Sequence, residues 1–584
     1  MPPKQMPSGD PPPGSDGASL VEEWGGDVKA FLERCKPRPR PTSCDGPMTT
    51  HAGHVRQIAS AAGIVSLATL VSRVLGFVRD MAIAWLFGAG MMADAFFAAF
   101  RIPSTLRELL GEGALSAAFI PTFTRTATRE GRQAAWDLAS AVMGSLLVVL
   151  TGVSIIGVIL APQIAHLLVP SFDQVPGKMS LTIHLLRIMF PYILLVGLAA
   201  FFMAILNSLG HFLTPALSPA VLNIAMIAAA LLIAPRASNP VLPLGVALLV
   251  GGAAQFLIQL PPAWARGWRL RLRVAPADPR VWEIARLMAP GVAGLSITQV
   301  NVFIGLSLAS FLAQGSVAAL SYAFRLVQFP LGVIGVAIAT GAFPVMAASF
   351  VEKAVGEMKG ALRGSLRLAI FLTLPATVGL AVFRLPILHV LFERGAFTRP
   401  VTMLTAQILL AYTLGLMFYV SNRIMTPAFY AMHDTRTPVA TGMMAVGVNI
   451  AASLLFMSPL GAPGLALATA VSSVSNSILL FTHLRRRIGP LGMGGMVWPA
   501  AKVALACLPL TAWGMLAQRW LDILSMSRTA LKVLALCGDV GVGIALFAVT
   551  AAALRCEEFA WALALLRRPR AGQPTGDVAS FPLE

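Results

Sequence analysis

The chain has 584 residues, of which 57% are hydrophobic and only 12% charged, and its mean hydropathy is +0.76. A soluble protein of this length cannot bury so much apolar surface in one or two cores. That excludes a cytosolic enzyme, a secreted domain and, over most of the length, a disordered chain. A net charge of +18 would point to nucleic acid in a soluble protein. In a polytopic membrane protein it fits the basic bias of cytoplasmic loops, so no nucleic-acid partner is expected.

Residues 1–56 stand apart from the rest. They carry Pro2, Pro3, Pro11, Pro12, Pro13 and Gly14, and the basic run Lys36-Pro37-Arg38-Pro39-Arg40. Proline removes helix donors and glycine raises chain entropy, so a disordered tail is expected. No apolar stretch follows a short basic start, so it does not read as a signal peptide. Met48 stands just before the hydrophobic part and is an alternative start.

From residue 58 the chain is a series of apolar stretches long enough to span a bilayer, which takes about 20 residues. Fourteen are expected: 58–88, 92–123, 134–169, 179–209, 212–234, 240–265, 281–313, 316–349, 360–392, 400–432, 437–459, 461–484, 497–518 and 529–554. Each is expected to be helical, because lipid leaves unpaired backbone groups unsatisfied. The fold class is therefore an all-α polytopic membrane protein. With both termini cytoplasmic, the inner loops hold 17 Lys and Arg and the outer loops 6, the asymmetry such a topology requires.

The sequence also repeats at low similarity. Ala99-Phe100-Arg101 returns as Ala323-Phe324-Arg325, His166-Leu167 as His389-Val390, Thr214-Pro215 as Thr437-Pro438, and Asn223-Ile224-Ala225 as Asn449-Ile450-Ala451, in chain order and at nearly one spacing. The spacing covers six spans, so both halves cross the membrane in the same sense, as in transporters built from parallel repeats. The expected organisation is a tail (1–56), a six-helix lobe (57–275), a second six-helix lobe (276–488), helices 13–14 (489–556) and a cytoplasmic tail (557–584).

Ten basic residues fall within spans or at their ends, including Arg73, Arg79, Arg101, Arg107 and Arg325. An arginine at the bilayer centre costs about 2.5–3.5 kcal/mol on insertion scales, so several together imply a wet cavity or a polar ligand. Span 1 reads Ser72-Arg73-Val74-Leu75-Gly76-Phe77-Val78-Arg79-Asp80, and span 2 carries Asp94, Arg101 and Glu108 at seven-residue steps on one helical face. Pro103 is expected to break span 2 ahead of Arg107, Gly111, Glu112 and Gly113. Asp80, Arg101 and Glu108 read as mutual ion pairs, and Arg73 and Arg107 as cavity residues. Arg325 has no acidic neighbour in sequence between Leu287 and Val351 and reads as facing a substrate anion, with a partner on another helix as the open alternative. The five cysteines, Cys35, Cys44, Cys507, Cys537 and Cys556, show no metal spacing. There is no Walker loop and no HExxH, so neither cofactor nor metal is expected. Arginine suits phosphate because it is planar, permanently charged and bidentate. The residues therefore read as a carrier, not an enzyme, for an anionic, phosphorylated, amphiphilic substrate.

These motifs resemble a known family. The span 1 stretch, Gly88-Ala89-Gly90 with Ala93-Asp94-Ala95-Phe96-Phe97, Glu112-Gly113-Ala114, Phe190-Pro191-Tyr192 and Leu331-Gly332-Val333 are similar to those of the MurJ/MviN lipid II flippases of bacteria, over residues from about Gln57 to Arg555. The resemblance implies the multidrug/oligosaccharidyl-lipid/polysaccharide exporter fold, with two six-helix lobes and a final helix pair forming a groove for the lipid tail. It implies transfer of lipid II, the undecaprenyl-pyrophosphate-linked peptidoglycan precursor, from the inner to the outer leaflet of the bacterial cytoplasmic membrane. Membrane lipids and the cell-wall synthesis machinery are the other partners implied. Substrate-binding positions map onto Arg73, Arg79, Arg107 and Arg325, and gating or structural charges onto Asp80, Asp94 and Glu112. The chain departs from the family at Phe324, where members often carry a polar or acidic residue, and at Gln328, where some carry an acid. Past Glu283 at its very start, span 7 offers Asn301 and no acid, so a sodium site is not carried over. A drug or cation antiporter, or a flippase for another lipid-linked oligosaccharide, is the alternative on the same fold. An antiporter would want acids in its cavity. A membrane glycosyltransferase would want a large outer loop with catalytic acids, and the outer loops here are short.

Overall fold

The structure is a computed structural model that describes residues 49–109, 115–269, 278–492, 494–520 and 528–566, with Arg273 and Ala275. The expected tails, up to residue 48 and from 567, and Glu112 with its flanking glycines lie outside the described residues. The chain divides into two compact units, 1–62 and 63–584. The first contributes, among the described residues, only the opening turns of helix α1 (Thr49–Phe87). The second holds the rest of α1 and all the later elements.

Among the described residues every regular element is a helix. In chain order they are α2 (Met91–Leu109), α3 (Leu115–Arg129), α4 (Arg132–Ile159), α5 (Ala161–Leu168), α6 (Lys178–Met189), α7 (Tyr192–Ser208), α8 (Leu213–Ala228), α9 (Leu242–Leu257), α10 (Leu260–Ala265) and α11 (Pro279–Ser310). Then come α12 (Ser316–Pro330), α13 (Val336–Val351), α14 (Val355–Val382), α15 (Arg384–Leu391), α16 (Arg399–Thr413), α17 (Leu416–Ala431), α18 (Arg436–Leu460), α19 (Ala462–Ile488), α20 (Gly494–Trp520), α21 (Thr529–Ala553) and α22 (Glu557–Leu566). Ten helical runs among the described residues are long and apolar enough to cross a membrane, or eleven if α16 and α17, bent by 43°, form one span. The protein is an all-α polytopic membrane protein. Its outward faces stay apolar, as at Val148, Ile155, Leu232, Leu455 and Val549, because lipid rather than water covers them.

Among the described residues each of the fourteen expected stretches is mainly helical, several in two pieces. Pro103 does not break span 2 as expected. It lies buried inside α2, which continues to Leu109. The Ser104 hydroxyl donates to the Arg101 carbonyl at 2.8 Å, within the same turn. Lys178, expected as an outer-loop charge, is buried at the start of α6.

The repeat returns as helix boundaries. Arg132 and Val355, Ala161 and Arg384, and Leu213 and Arg436 each begin a helix, with one spacing in all three pairs. In both halves a long helix is followed at once by a short one, α4 by α5 and α14 by α15. Helices α20 and α21 pack on each other and on α14, through an apolar cluster of Phe371, Val503, Cys507, Phe547 and Ala551.

Candidate functional site

The site is built where α1 and α2 meet α12. Arg79 lies eight residues before the end of α1, and Arg325 ten residues beyond the turn at Gly315. At 1.5 Å per residue both are about 12–15 Å from that end of the bundle, near the middle of a 30 Å hydrocarbon core. Asp80, buried, joins them. Its Oδ1 accepts from Arg79 Nε at 3.0 Å and Nη2 at 2.7 Å, and its Oδ2 accepts from Arg325 Nε. Arg79 also donates to Asn223 Oδ1 at 3.2 Å, and Asn223 returns its Nδ2 to the Ser72 carbonyl at 3.1 Å. Phe100 lies under the Arg79 guanidinium, 5.6 Å away. One carboxylate thus ties the two halves of the chain together, and its two arginines leave the triad with a net positive charge.

Arg325 therefore has the partner on another helix that the sequence left open. It keeps an exposed edge, since its side chain is 37% exposed while Asp80 is 4% exposed. Its Nη1 donates to Gln328 Oε1 at 3.2 Å. Arg73, exposed on α1, lays its guanidinium against Gly332 in the π-helical turn that follows α12, where any side chain would collide with it. Arg107 lies within electrostatic reach of Arg79 and Tyr192. Arg101 lies within reach of Glu108, Tyr412 and Arg325. Glu108 is held by Gln299 of α11, whose Nε2 donates to Oε2 at 2.8 Å, and Gln299 also accepts from Thr105 at 3.1 Å. Arg79 and Arg325 on Asp80 are thus joined electrostatically by Arg107 and by Arg101, which brings in Glu108, while Arg73 lies against Gly332. Asp94 is not part of this cluster.

Asp94 works at the end of the bundle. Buried on α2, it accepts from Lys178 Nζ at 2.8 Å, Gly315 N at 2.7 Å and Ala318 N at 2.9 Å. A carboxylate at the first turn of α12 satisfies donors that have no intrahelical partner and complements the helix dipole. Around it the two halves close backbone to backbone. Ala396 N donates to the Trp85 carbonyl at 2.9 Å, and the Tyr322 hydroxyl to the Gly88 carbonyl at 3.0 Å. Gly88 (φ +55°) and Gly315 (φ +92°) leave no room for a side chain against Ala396 and Ala89, so only glycine permits this approach. The Ser171 hydroxyl reaches the Ser310 carbonyl and, at 3.1 Å, its hydroxyl, fixing the end of α11 to the first half.

At the opposite end the contacts are ionic. Arg125 pairs with Glu283 at 2.6 Å, and Arg280 with Glu130 and with Asp278, each at 3.0 Å. The hydrogen bond from Arg280 holds the Asp278 carboxyl below its usual range. Exposed ion pairs of this kind are weak, typically under about 1 kcal/mol, so this end opens more cheaply than the other.

Sequence reasoning missed Asn223, Lys178, Gln299 and Tyr322 as members of these networks. Asn223 stood inside a repeat motif. The other three carried no local signal, because their partners are 84 to 234 residues away.

Comparison with known proteins bears on the same segments. The family described as "Lipid II flippase MurJ" matches residues 83–534. A probable lipid II flippase MurJ of Vibrio cholerae is 36% identical over 501 residues, spanning 82% of this chain and 93% of that protein. The lipid II flippase MurJ of Burkholderia cenocepacia is 35% identical over 430 residues, spanning 72% and 83%. In three dimensions the chain is similar to a lipid II flippase MurJ in an inward closed conformation, with TM-score 0.68 and 23% identity over 86% of this chain and 99% of that one. It is also similar to an inward-facing multidrug resistance MATE family transporter of the MOP superfamily, with TM-score 0.63 and 17% identity over 72% and 95%. The structural likenesses establish the fold.

Proposed function

Because the chain belongs to the MurJ family of lipid II flippases, we propose that it transfers lipid II from the inner to the outer leaflet of the bacterial cytoplasmic membrane, as a transporter and not an enzyme. The observation that carries the reading is the cluster of four arginines, at 79, 101, 107 and 325, with two carboxylates, Asp80 and Glu108. A cationic drug would be repelled there, and a pyrophosphate would be drawn in. Arg73, Arg79, Arg107 and Arg325 are the substrate-binding residues. Asp80 holds Arg79 and Arg325 in place, and Asp94 latches the closed end. Glu112 belongs to the same segment by family resemblance alone.

Both termini are cytoplasmic in this reading, so the backbone-closed end, with Gly88 and Gly315, faces outward, and the salt-bridged end faces the cytoplasm. Two six-helix lobes, 57–275 and 276–488, rock about the site. The pyrophosphate-sugar head enters the arginine cavity from the inside while the polyprenyl tail stays in the bilayer, along the groove of helices 13 and 14. Breaking the Asp94 latch then releases the head outward. Contact with the cell-wall synthesis machinery would couple release to consumption.

The test is reconstitution of the purified protein in liposomes with fluorescent lipid II, reading protection of the label from an external quencher. Accelerated transfer, lost on Arg79→Ala, is expected. No transfer of lipid II, with efflux of a cationic dye instead, would place the chain with the antiporters of the same fold.

A further inference from the structure

Asp539 lies near the middle of α21, about 15 Å along the helix from its start at Thr529. It is buried, only 3% exposed. Among the described residues no hydrogen bond, ion pair or charged group reaches its carboxyl. Its backbone carbonyl accepts from Trp513 Nε1 of α20 at 3.0 Å, so this face of α21 lies in the seam with α20. The neighbours along the face are apolar. Leu536 packs with Val390 and Ile387 of α15 on one side, and Gly543 lies against Leu510 and Phe383 on the other. Further in, Phe371, Val503, Cys507, Phe547 and Ala551 close the seam. The outward face of α21 carries Leu534, Ile544 and Val549, all exposed. A metal ion needs several oxygen ligands, and among the described residues no group of metal-binding side chains forms. A proton needs only the one carboxyl.

The charged and titratable groups on the elements packed against α21 stand away from Asp539. Lys502 and Cys507 of α20, Arg367 of α14 and Glu558 of α22 lie toward the inner end, where Arg367 donates to Glu558 at 2.6 Å. Arg384 of α15 is turned back on the Ala381 carbonyl, and Cys537 of α21 itself is exposed. Toward the outer end, two turns from Asp539 on the same face, Lys532 Nζ donates to His389 Nε2 at 2.8 Å. His389 Nδ1 in turn lies 3.1 Å from Glu393 Oε1.

We propose that Asp539 is a proton-binding site, which carries a proton while α21 is packed and exchanges it with outer water past Lys532, His389 and Glu393. A carboxylate without a partner at mid-depth in a membrane is expensive, so the packed seam holds the neutral acid. Release of the proton to water leaves a charge that the seam cannot satisfy, and the contact of α21 with α14, α15 and α20 loosens. The apolar cluster on the inner side leaves the outer end as the route. The site belongs to the last helix pair and not to the arginine cluster. It goes beyond the flippase reading and does not rest on it.

Dicyclohexylcarbodiimide, a lipid-soluble reagent, adds to protonated carboxyls and stays attached as an N-acylurea. The experiment treats the full chain in nanodiscs with it across a pH series and maps the modified residues by mass spectrometry of peptides. Asp539 is expected to be labelled at acidic pH and to lose the label as pH rises. Labelling that does not fall, or none at acidic pH, overturns the proposal. Melting temperatures of wild type and of Asp539→Asn, which keeps the shape without the charge, are read over the same series. A carboxyl that is neutral when packed stabilises fully below its unfolded value of about 3.9 and loses that effect as pH rises. Wild type is therefore expected to fall progressively behind Asp539→Asn toward alkaline pH, and a gap that is the same at every pH overturns the proposal. In spheroplasts, which hold their internal pH steady, labelling of Asp539 should follow the external pH, and labelling that ignores it overturns the outer route. None of these readouts uses lipid II, so their failure leaves the flippase reading standing, and failure of lipid II transfer leaves the proton site standing.

Discussion

At the scale of single residues, Asp80 matters to stability more than the arginines it holds. Removing one member of a buried ion pair strands the other at a cost of about 3–5 kcal/mol, and Asp80→Ala strands two guanidiniums at once. Arg325→Ala leaves Asp80 with both hydrogen bonds from Arg79. Asp80→Ala is therefore expected to melt well below wild type, with the double variant Asp80→Ala/Arg325→Ala recovering part of the loss, while Arg325→Ala folds normally and fails in transport. Thermal unfolding of the purified proteins reads this directly, and an Asp80→Ala protein as stable as wild type would remove the triad from the account. The arginines were legible in the sequence, because a charge inside an apolar run is conspicuous. The pairing was not. Asp80 and Arg325 are 245 residues apart, and no local pattern reports which helices become neighbours.

At the scale of elements, helix existence followed from apolar length, while helix ends depend on contacts that apolar length does not report. Asp434 shows how a cap works here. Its Oδ1 accepts from the backbone N–H of Arg436 and of Thr437, each at 3.0 Å, and its Oδ2 from the Thr437 hydroxyl at 2.7 Å and from Arg487. It thereby caps α18 and ties it to the end of α19. Burial raises its affinity for a proton, but the bonds from Thr437 and Arg436 and the charge of Arg487 outweigh it, and the carboxyl is held below its usual range. A depressed folded pKa stabilises above the unfolded value of about 3.9 and loses its effect as pH falls through the lower folded value. Asp434→Ala is expected to cost about 1 kcal/mol at neutral pH, and the gap in melting temperature from wild type should narrow below about pH 4. A gap that does not change with pH would mean that the side chain acts by shape alone. The interruptions inside spans were harder to read. Pro103 suggested a break where α2 runs on, because a proline removes one backbone hydrogen bond and the packing that buries Pro103 and Thr105 in α2 holds the helix together across it.

At the scale of the whole molecule, the repeat and the charge asymmetry pointed to a transporter built from two halves, and the family relationship extends over most of the length. What sequence could not show is that the two ends differ in kind. One is closed by glycine-permitted backbone contacts and buried charges, and the other by exposed ion pairs. Alternating access requires that the tighter end also open, which a reversible lock can test. Ser171 and Ser310 lie with their hydroxyls 3.1 Å apart, close enough for cysteines at both positions to form a disulfide. In a background with Cys35, Cys44, Cys507, Cys537 and Cys556 replaced, Ser171→Cys/Ser310→Cys is expected to transfer lipid II when reduced and to stop when oxidised. The oxidised protein should still bind lipid II, since the arginine cluster lies about 12–15 Å from that end and the lock leaves the opposite end free. Recovery on reduction would tie the arrest to the bond itself. Transfer at an undiminished rate in fully cross-linked protein would show that α11 and the first half never part there, and would move the outward opening to another pair of helices.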